Sequence, residues 1–435
     1  MQEAPAVYRV SETVSTHASE NTLRALPAGW KWVTVGEMVE EMQYGTSAKT
    51  SEDATGVPVL RMGNIKEGSL VLDSLKYLPR THGEFPALLL HDGDLLFNRT
   101  NSAELVGKSA VYRGNPSPCS CASYLIRARM RPSYVPEFLA YYINSTFGRA
   151  WVNSVVSQQV GQANVNGTKL KALTIPVPHL PEQRRIVAEI EKQFTRLEAG
   201  VAALRRVKAN LKRYRAAILK AACEGRLMPT ESEWQKTTLG EVLAGIEAGR
   251  SFKCEERPPK SDEIGVVKVS SVTWGSYNEM ESKTCLDATR IEDRFFVRAG
   301  DFLFSRANTI ELVGACVIAE TITLRLMLSD KILRLRFSSS VNPNWILYWL
   351  RSGFGRSEIE RLATGNQNSM RNIGQDRIRQ IIVKLPTPLE QTRIVAEIER
   401  RLSVVDDLET AVSVSVNRAI RLRHSILQKA YNGKL

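Results

Sequence analysis

The side chains most able to do chemistry in this sequence are arginines, lysines and side-chain amides gathered in polar, glycine-containing stretches. In the first half Lys49, Arg61, Asn64, Lys66, Asn98, Arg99 and Asn101 stand beside glycines or strand ends, and the run QQVGQANVNGTK adds Gln158, Gln159, Gln162, Asn164, Asn166 and Lys169. In the second half Arg250, Lys253, Lys268, Ser270, Ser271, Arg306 and Asn308 have similar settings, and TGNQNSMRNIGQ adds Asn366, Gln367, Asn368 and Arg371. Guanidiniums and amides offer forked donors to base edges, and lysines meet phosphates. The chemistry on offer is recognition of nucleic acid. A net charge of +13 on a chain of 43% hydrophobic residues fits a folded protein with an acidic partner, although charge alone does not single out nucleic acid.

The residues of a catalytic centre are harder to find. There is no G-x-x-x-x-G-K-[ST] phosphate loop and no glycine-rich cofactor fingerprint after a strand. His17, His82, His91, His179 and His424 are dispersed, and no Asp, Glu and Lys cluster suggests a metal-dependent nuclease. NPNW at Asn342–Trp345 approaches an adenine-methyltransferase motif but has Asn for its second proline, and it reads as a helix start. Of the cysteines Cys119, Cys121, Cys223, Cys254, Cys285 and Cys316, the first two form C-x-C with no histidine nearby, so all six are expected to be reduced thiols and no metal is expected. The polar, acidic first residues do not resemble a signal peptide, and no apolar run approaches the roughly 20 residues that span a bilayer. A soluble, cytoplasmic chain without a bound cofactor is the expectation.

An internal duplication with an offset of a little over 200 residues organises the chain. WKWVTVGEMVEEMQYGTS returns as WQKTTLGEVLAGIEAGRS, each read as a short polar-apolar stretch, a helix and a glycine turn. GDLLFNRTNSAELVG, from Gly93, returns as GDFLFSRANTIELVG, from Gly300. EQRRIVAEIE, from Glu182, returns as EQTRIVAEIE, from Glu390, and ILKAACEGRL as ILQKAYNGKL. VPVLRMGNI and IGVVKVSSV read as strands, whereas VPEFLAYYINSTFGRAW and NPNWILYWLRSGFGRSEI read as helices opened by proline. The fold class is therefore α+β, with two similar heads of mixed α and β structure. Expected boundaries are a flexible tail at 1–26, a first head at 27–178, a central helix at 179–226, a second head at 227–385 and a C-terminal helix at 386–435.

Pro-rich exits, TIPVPHLPEQ and IVKLPTPLEQ, hand each head over to about 40 residues of helix. Ile186, Ile190, Phe194, Leu197, Val201, Leu204, Val207, Leu211, Tyr214 and Ile218 form a seam on the first. Ile394, Ile398, Leu402, Val405, Leu408, Val412, Val416 and Ile426 do so less strictly on the second. A narrow seam asks for one partner helix, and the duplication favours an antiparallel coiled coil within the chain, with a pseudo-two-fold axis and a head at each end. Such helices span roughly 60 Å, more than the roughly 34 Å of one DNA turn. The other readings are that each helix packs on its own head or on a different protein.

The W-x-x-x-x-[VL]-G-E openings, the Pro-rich exits and the paired EQ-x-R-I-V-A-E-I-E segments together resemble the specificity subunit of type I restriction-modification enzymes, over nearly the whole chain after the tail. The resemblance implies that each head is a target-recognition domain reading one half of a split, asymmetric DNA site, with the helices setting the spacer. It implies double-stranded DNA, two methylation subunits and restriction subunits as partners, with S-adenosylmethionine, ATP and Mg used by those partners. Two other functions stay open: a DNA-modifying enzyme with its own activity, and a coiled-coil scaffold that binds proteins. Arg99 and Arg306 recur in the shared motif and can equally be framework residues paired with Glu104 and Glu311. Residues reading different bases should differ between heads. Arg184, Arg185, Arg205, Arg206, Lys208, Lys212 and Arg213 on the first helix are either phosphate contacts or a solvated face.

Overall fold

The computed structural model describes residues 25–159, 162–230, 232–286, 291–367 and 370–435, and of Gln158, Gln159 and Asn366 the backbone alone. Residues 1–24, most of the stretch read as a tail, lie outside these, as does Asn368. The chain divides into two compact units between residues 201 and 202 and between 416 and 417. The cuts fall inside the long helices, so each unit takes one head and a part of both helices.

In the first unit a four-stranded antiparallel sheet has the order Val39–Tyr44, Leu125–Met130, Leu95–Asn98, Ser109–Val111. The second unit repeats it as Leu243–Ala248, Ile332–Phe337, Asp301–Ser305, Cys316–Ala319. Two helices cover each sheet, Pro136–Asn144 and Thr146–Val155 in one, Pro343–Arg351 and Gly353–Leu362 in the other. Proline opens the first of each pair, where its missing N–H costs nothing. Asn342 caps the second copy by accepting from the Asn344 amide at 2.9 Å, so NPNW is a helix start. A smaller sheet lies beside each main one, containing Val57–Leu60 and Gly265–Val267.

The stretch after Trp30 was expected to be a helix, but only Val35–Met38 turns, as does Leu239–Val242 after Trp234. The next six residues are the edge strand of the main sheet, paired to Leu125–Met130 or Ile332–Phe337. Ladder hydrogen bonds to a neighbouring strand override the weak helical preference of so short a segment.

The long helices are Leu180–Cys223 and Pro388–Tyr431, 44 residues each. In the first unit Arg423 pairs with Glu198 at 3.1 Å and Arg185 donates to the Leu435 carbonyl at 2.6 Å. In the second Arg215 pairs with Asp406 and Glu409. Within each unit early positions of one helix meet late positions of the other, so the pairing is antiparallel. Both intramolecular readings hold together. Ile394, Ile398, Leu402 and Val405 share a core with Leu211 and Ile218 of the first helix and with Trp345 and Ile346 of the head. In the other unit Ile186, Ile190 and Phe194 share a core with Leu427, Tyr431 and Phe138. Val207, Tyr214 and Leu408, expected in the seam, are exposed. A pair of helices covers only a narrow stripe of each.

Both helices end alike. Gly225 and Gly433 adopt φ of +68° and +67°, and the amides of Arg226 and Lys434 reach back to Ala221 and Lys429 at 2.8 and 2.9 Å. That left-handed cap favours glycine. Both begin with a buried glutamine. Gln183 accepts from the Val135 amide at 2.9 Å and donates to Pro178 and Ser133 carbonyls at 3.0 and 3.3 Å. Gln391 does the same with Asn342, Pro386 and Ser340 at 2.7, 2.9 and 3.4 Å. Gln391→Leu takes their partner from the buried Pro386 carbonyl and the part-buried Asn342 amide. We expect it to destabilise the second unit by about 1–3 kcal/mol, read as an earlier urea transition of tryptophan fluorescence.

Candidate nucleic-acid interface

The shared motif builds a platform. After Leu95–Asn98 the chain passes Arg99 and forms the short strand Thr100–Asn101, which pairs with Gln162–Asn164 of a hairpin completed by Ser157–Gln159. In the second head Ala307–Asn308 pairs with Met370–Asn372, and Thr364–Gln367 completes the hairpin. The loop that follows is pinned from below. Arg149 donates to the Ala103 and Val106 carbonyls, and Arg356 to Ile310 and Val313 at 3.0 and 2.7 Å. Gly107 and Gly314, at φ of +84° and +77°, return their amides to Asn98 and Ser305. A Cβ on either would meet Val152 or Ile359 at 2.5 Å.

Several sequence candidates turn out to hold this platform. Asn64 is buried, with its oxygen accepting from the Arg61 amide at 2.9 Å and its nitrogen donating to the Val71 and Asp73 carbonyls. Its counterpart Ser271 is buried as well and bonds the Lys268 carbonyl. Lys169 ties down the Val155 carbonyl and the Ser157 hydroxyl, and Arg377 does the equivalent with Leu362. Asn166 caps the helix Gly167–Ala172, and Asn164 donates to Thr100 at 2.7 Å. Asn98 is buried against the Leu105 carbonyl. Arg371 holds the Ala363 and Gly365 carbonyls of its own hairpin. Asn101 and Asn308 each accept from the next amide, forming matching turns. These groups are engaged within the chain, on backbone and on the Thr100 and Ser157 hydroxyls.

Arg99 and Arg306 do not make the expected pairs with Glu104 and Glu311 among the described residues. Arg99 lies 4.7 Å over the Tyr44 ring, whose hydroxyl accepts from the Gly167 amide, and Arg306 reaches Asn372 at 3.4 Å. Arg61 donates to the Ser74 carbonyl at 2.7 Å. Lys49, Lys66, Gln162, Lys253 and Gln367 are exposed.

The second head gathers four of its candidates in one place. A groove of 690 Å³ is lined by Arg250, Lys268, Ser270 and Asn308 together with Lys283 and Lys331. Its cations are held by carboxylates: Lys268 and Lys283 share Glu256, Arg250 pairs with Glu292 at 2.9 Å, and Lys331 with Asp330 at 2.5 Å. Ser270 donates to Glu281 at 2.6 Å. Such a surface offers both donors and acceptors at fixed positions, as base edges require. Lys283 and Lys331 escaped the sequence reading because each lies in an ordinary strand or turn. The duplication holds the signal for one of them, since Lys331 occupies the place of the exposed Tyr124, each just before its central strand.

Of the six cysteines, Cys119, Cys121, Cys223 and Cys316 are buried, and burial pushes each thiol up to about 12. Among the described residues no three His, Cys, Asp or Glu side chains come together as a metal site, and no helix is long and apolar enough to cross a membrane.

Comparison with known proteins bears directly on this platform. A family model for the type I restriction modification DNA specificity domain matches residues 27–203. The StySPI type I restriction enzyme specificity subunit of Salmonella potsdam is 25% identical over 430 residues, covering 94% of this chain and 90% of that one. The chain is thus similar to type I specificity subunits along nearly its whole length, with the DNA specificity domain model matching its first head and the start of the first long helix.

Two solved structures share the fold. One, from a structural study of complex assembly and conformational transition of the type I R-M system, covers 95% of this chain and 100% of its own at 22% identity, with a TM-score of 0.71. The other, the HsdS subunit from Thermoanaerobacter tengcongensis, covers 95% and 99% at 21% identity, with a TM-score of 0.56. The division between framework and open residues is testable by stability alone. Asn64→Ala removes one acceptor and two donors from a buried site and is expected to cost about 1–3 kcal/mol. Lys49→Ala, on the surface, is expected to stay within about 0.5 kcal/mol of the parent, both read by chemical denaturation.

Proposed function

We propose that this chain reads DNA sequence for a type I restriction-modification complex and performs no catalysis itself. The observation that carries the reading is that one platform is built twice with the same pins, while the side chains presented on it differ between copies. Arg61 stands where Lys268 does, the exposed Tyr124 where Lys331 does, and the half-exposed Arg250 has the buried Thr46 in its place. A shared frame with divergent contacts suits two heads that read different halves of one split site.

In this reading each head meets major-groove edges and the paired helices set the spacer. Two methylation subunits dock on the chain and methylate adenine with S-adenosylmethionine, and restriction subunits add ATP- and Mg-dependent cleavage. The target adenine leaves the base stack to reach the methylation subunit. The chain binds no cofactor or metal of its own and acts in the cytoplasm.

Adenine-methylation mapping in cells carrying the partner methylation subunit, with and without this chain, tests the proposal. A split motif with a fixed gap is expected only when the chain is present; an active, assembled methylation subunit that yields none overturns the reading. Exchanging residues 27–178 for the head of another specificity subunit is expected to change one half of the motif and leave the other. Lys253→Ala is expected to lower the slope of log affinity against log salt by about 0.9, the loss of one phosphate contact, without altering the preferred sequence.

A further inference from the structure

Cys254 and Cys285 stand directly opposite each other on the antiparallel strands Cys254–Glu255 and Ser282–Cys285. The Leu286 amide donates to the Lys253 carbonyl at 2.9 Å. Lys253 and Leu286 are therefore a hydrogen-bonded pair, and the next pair along, the two cysteines, is of the non-hydrogen-bonded kind. Opposed Cα atoms in such a pair lie about 4.5 Å apart, with side chains on the same face, which falls inside the roughly 4.4–6.8 Å span of a disulfide. Both thiols are partly exposed, unlike the four buried cysteines. Cys254 also lines the groove that holds Arg250, Lys268 and Lys283.

The first head has nothing comparable. There Ser51 bridges Tyr77 and Val57 pairs with Leu78, which puts Thr50 and Leu78 in the places of the two cysteines. The pair is a property of one head.

We propose that Cys254 and Cys285 form a peroxide-sensitive modification site that changes how the second head holds DNA, an inference that rests on the DNA-reading function above. One thiol attacks hydrogen peroxide, giving a sulfenic acid and water. The second thiol then displaces the hydroxyl, giving the disulfide and a second water. Two thiol protons and two electrons are thus transferred to one peroxide. Joining the sulfurs links the two strands covalently at the rim of the groove, next to Lys253 and on the strand that carries Lys283. Burial, Cys285 and Glu256 raise the Cys254 thiol while Lys283 lowers it, so an excess of peroxide is the suitable probe.

The full chain is treated with hydrogen peroxide, mapped by non-reducing peptide mass spectrometry, and titrated against its methylated split-motif duplex. A Cys254–Cys285 linkage is expected, with affinity lowered about tenfold, equivalent to about 1.4 kcal/mol, and restored by dithiothreitol. Cys285→Ser, outside the groove lining, is expected to bind like the reduced parent and to be indifferent to peroxide, and Cys254→Ser to show no change in affinity on peroxide treatment. No linkage, or linkage of Cys119 to Cys121 instead, overturns the site. Linkage without a change in affinity overturns its coupling to the groove. A reduced chain that binds no duplex overturns the DNA-reading function itself, an outcome separable from the peptide map.

Discussion

Where each Pro-rich exit turns into a long helix, three backbone groups lack a secondary-structure partner, the buried carbonyl of Pro178 or Pro386 among them, and a single buried glutamine amide satisfies all three. Gln183 and Gln391 have their oxygen and nitrogen committed to the same three places in the two units. Buried backbone groups must be paired, so this side chain fixes both the point where the helix starts and its attachment to the helical layer of the head. The cores on either side follow from it. In one unit Ile186, Ile190 and Phe194 reach the head, and in the other Ile394, Ile398 and Leu402 do. The repeated EQ of the sequence is therefore structural, and its glutamate serves the same end in the second copy, where Glu390 closes a cap with Thr387.

The duplication was legible because framework residues cannot change without cost, and they recur as words in the sequence. Arg149 and Arg356, Gly107 and Gly314, Gly225 and Gly433 keep their places because each meets a fixed demand of the backbone. The two long helices could be read from their seams and from the glycines that end them. The edge strand after each opening tryptophan could not. Val39–Tyr44 owes its state to hydrogen bonds with a strand more than 80 residues away, and a local pattern carries no record of such a partner.

The candidate site was half legible for a related reason. Residue type marked polar loops correctly, but it did not separate side chains that hold a loop from side chains that the loop presents. Asn64 and Lys169 look like contact residues in the sequence, yet both spend their polar atoms on the chain itself. Lys283 and Lys331 looked ordinary and line the groove. What distinguishes the two classes is the whereabouts of backbone carbonyls, which only the folded chain supplies. The carboxylates around the second groove add a further point. Glu256 and Asp330 hold the lysines in place before any partner arrives, so a nucleic acid exchanges existing ion pairs for new ones instead of ordering loose side chains. Such exchange lowers the entropic cost of association and rewards only a partner whose acceptors fall where the carboxylates now sit.

The antiparallel helices, 44 residues each, carry an evolutionary consequence. One residue inserted into a helix turns everything beyond it by about 100° and advances it by about 1.5 Å. Inserted shortly before Leu211, it would swing Leu211 and Ile218 out of the seam and carry Arg215 away from Asp406. A change that keeps the apolar stripe facing its partner must come as whole turns, and must be matched on the opposing helix. The length of this pair is therefore a quantity that two distant stretches of the gene can alter only together and only in steps.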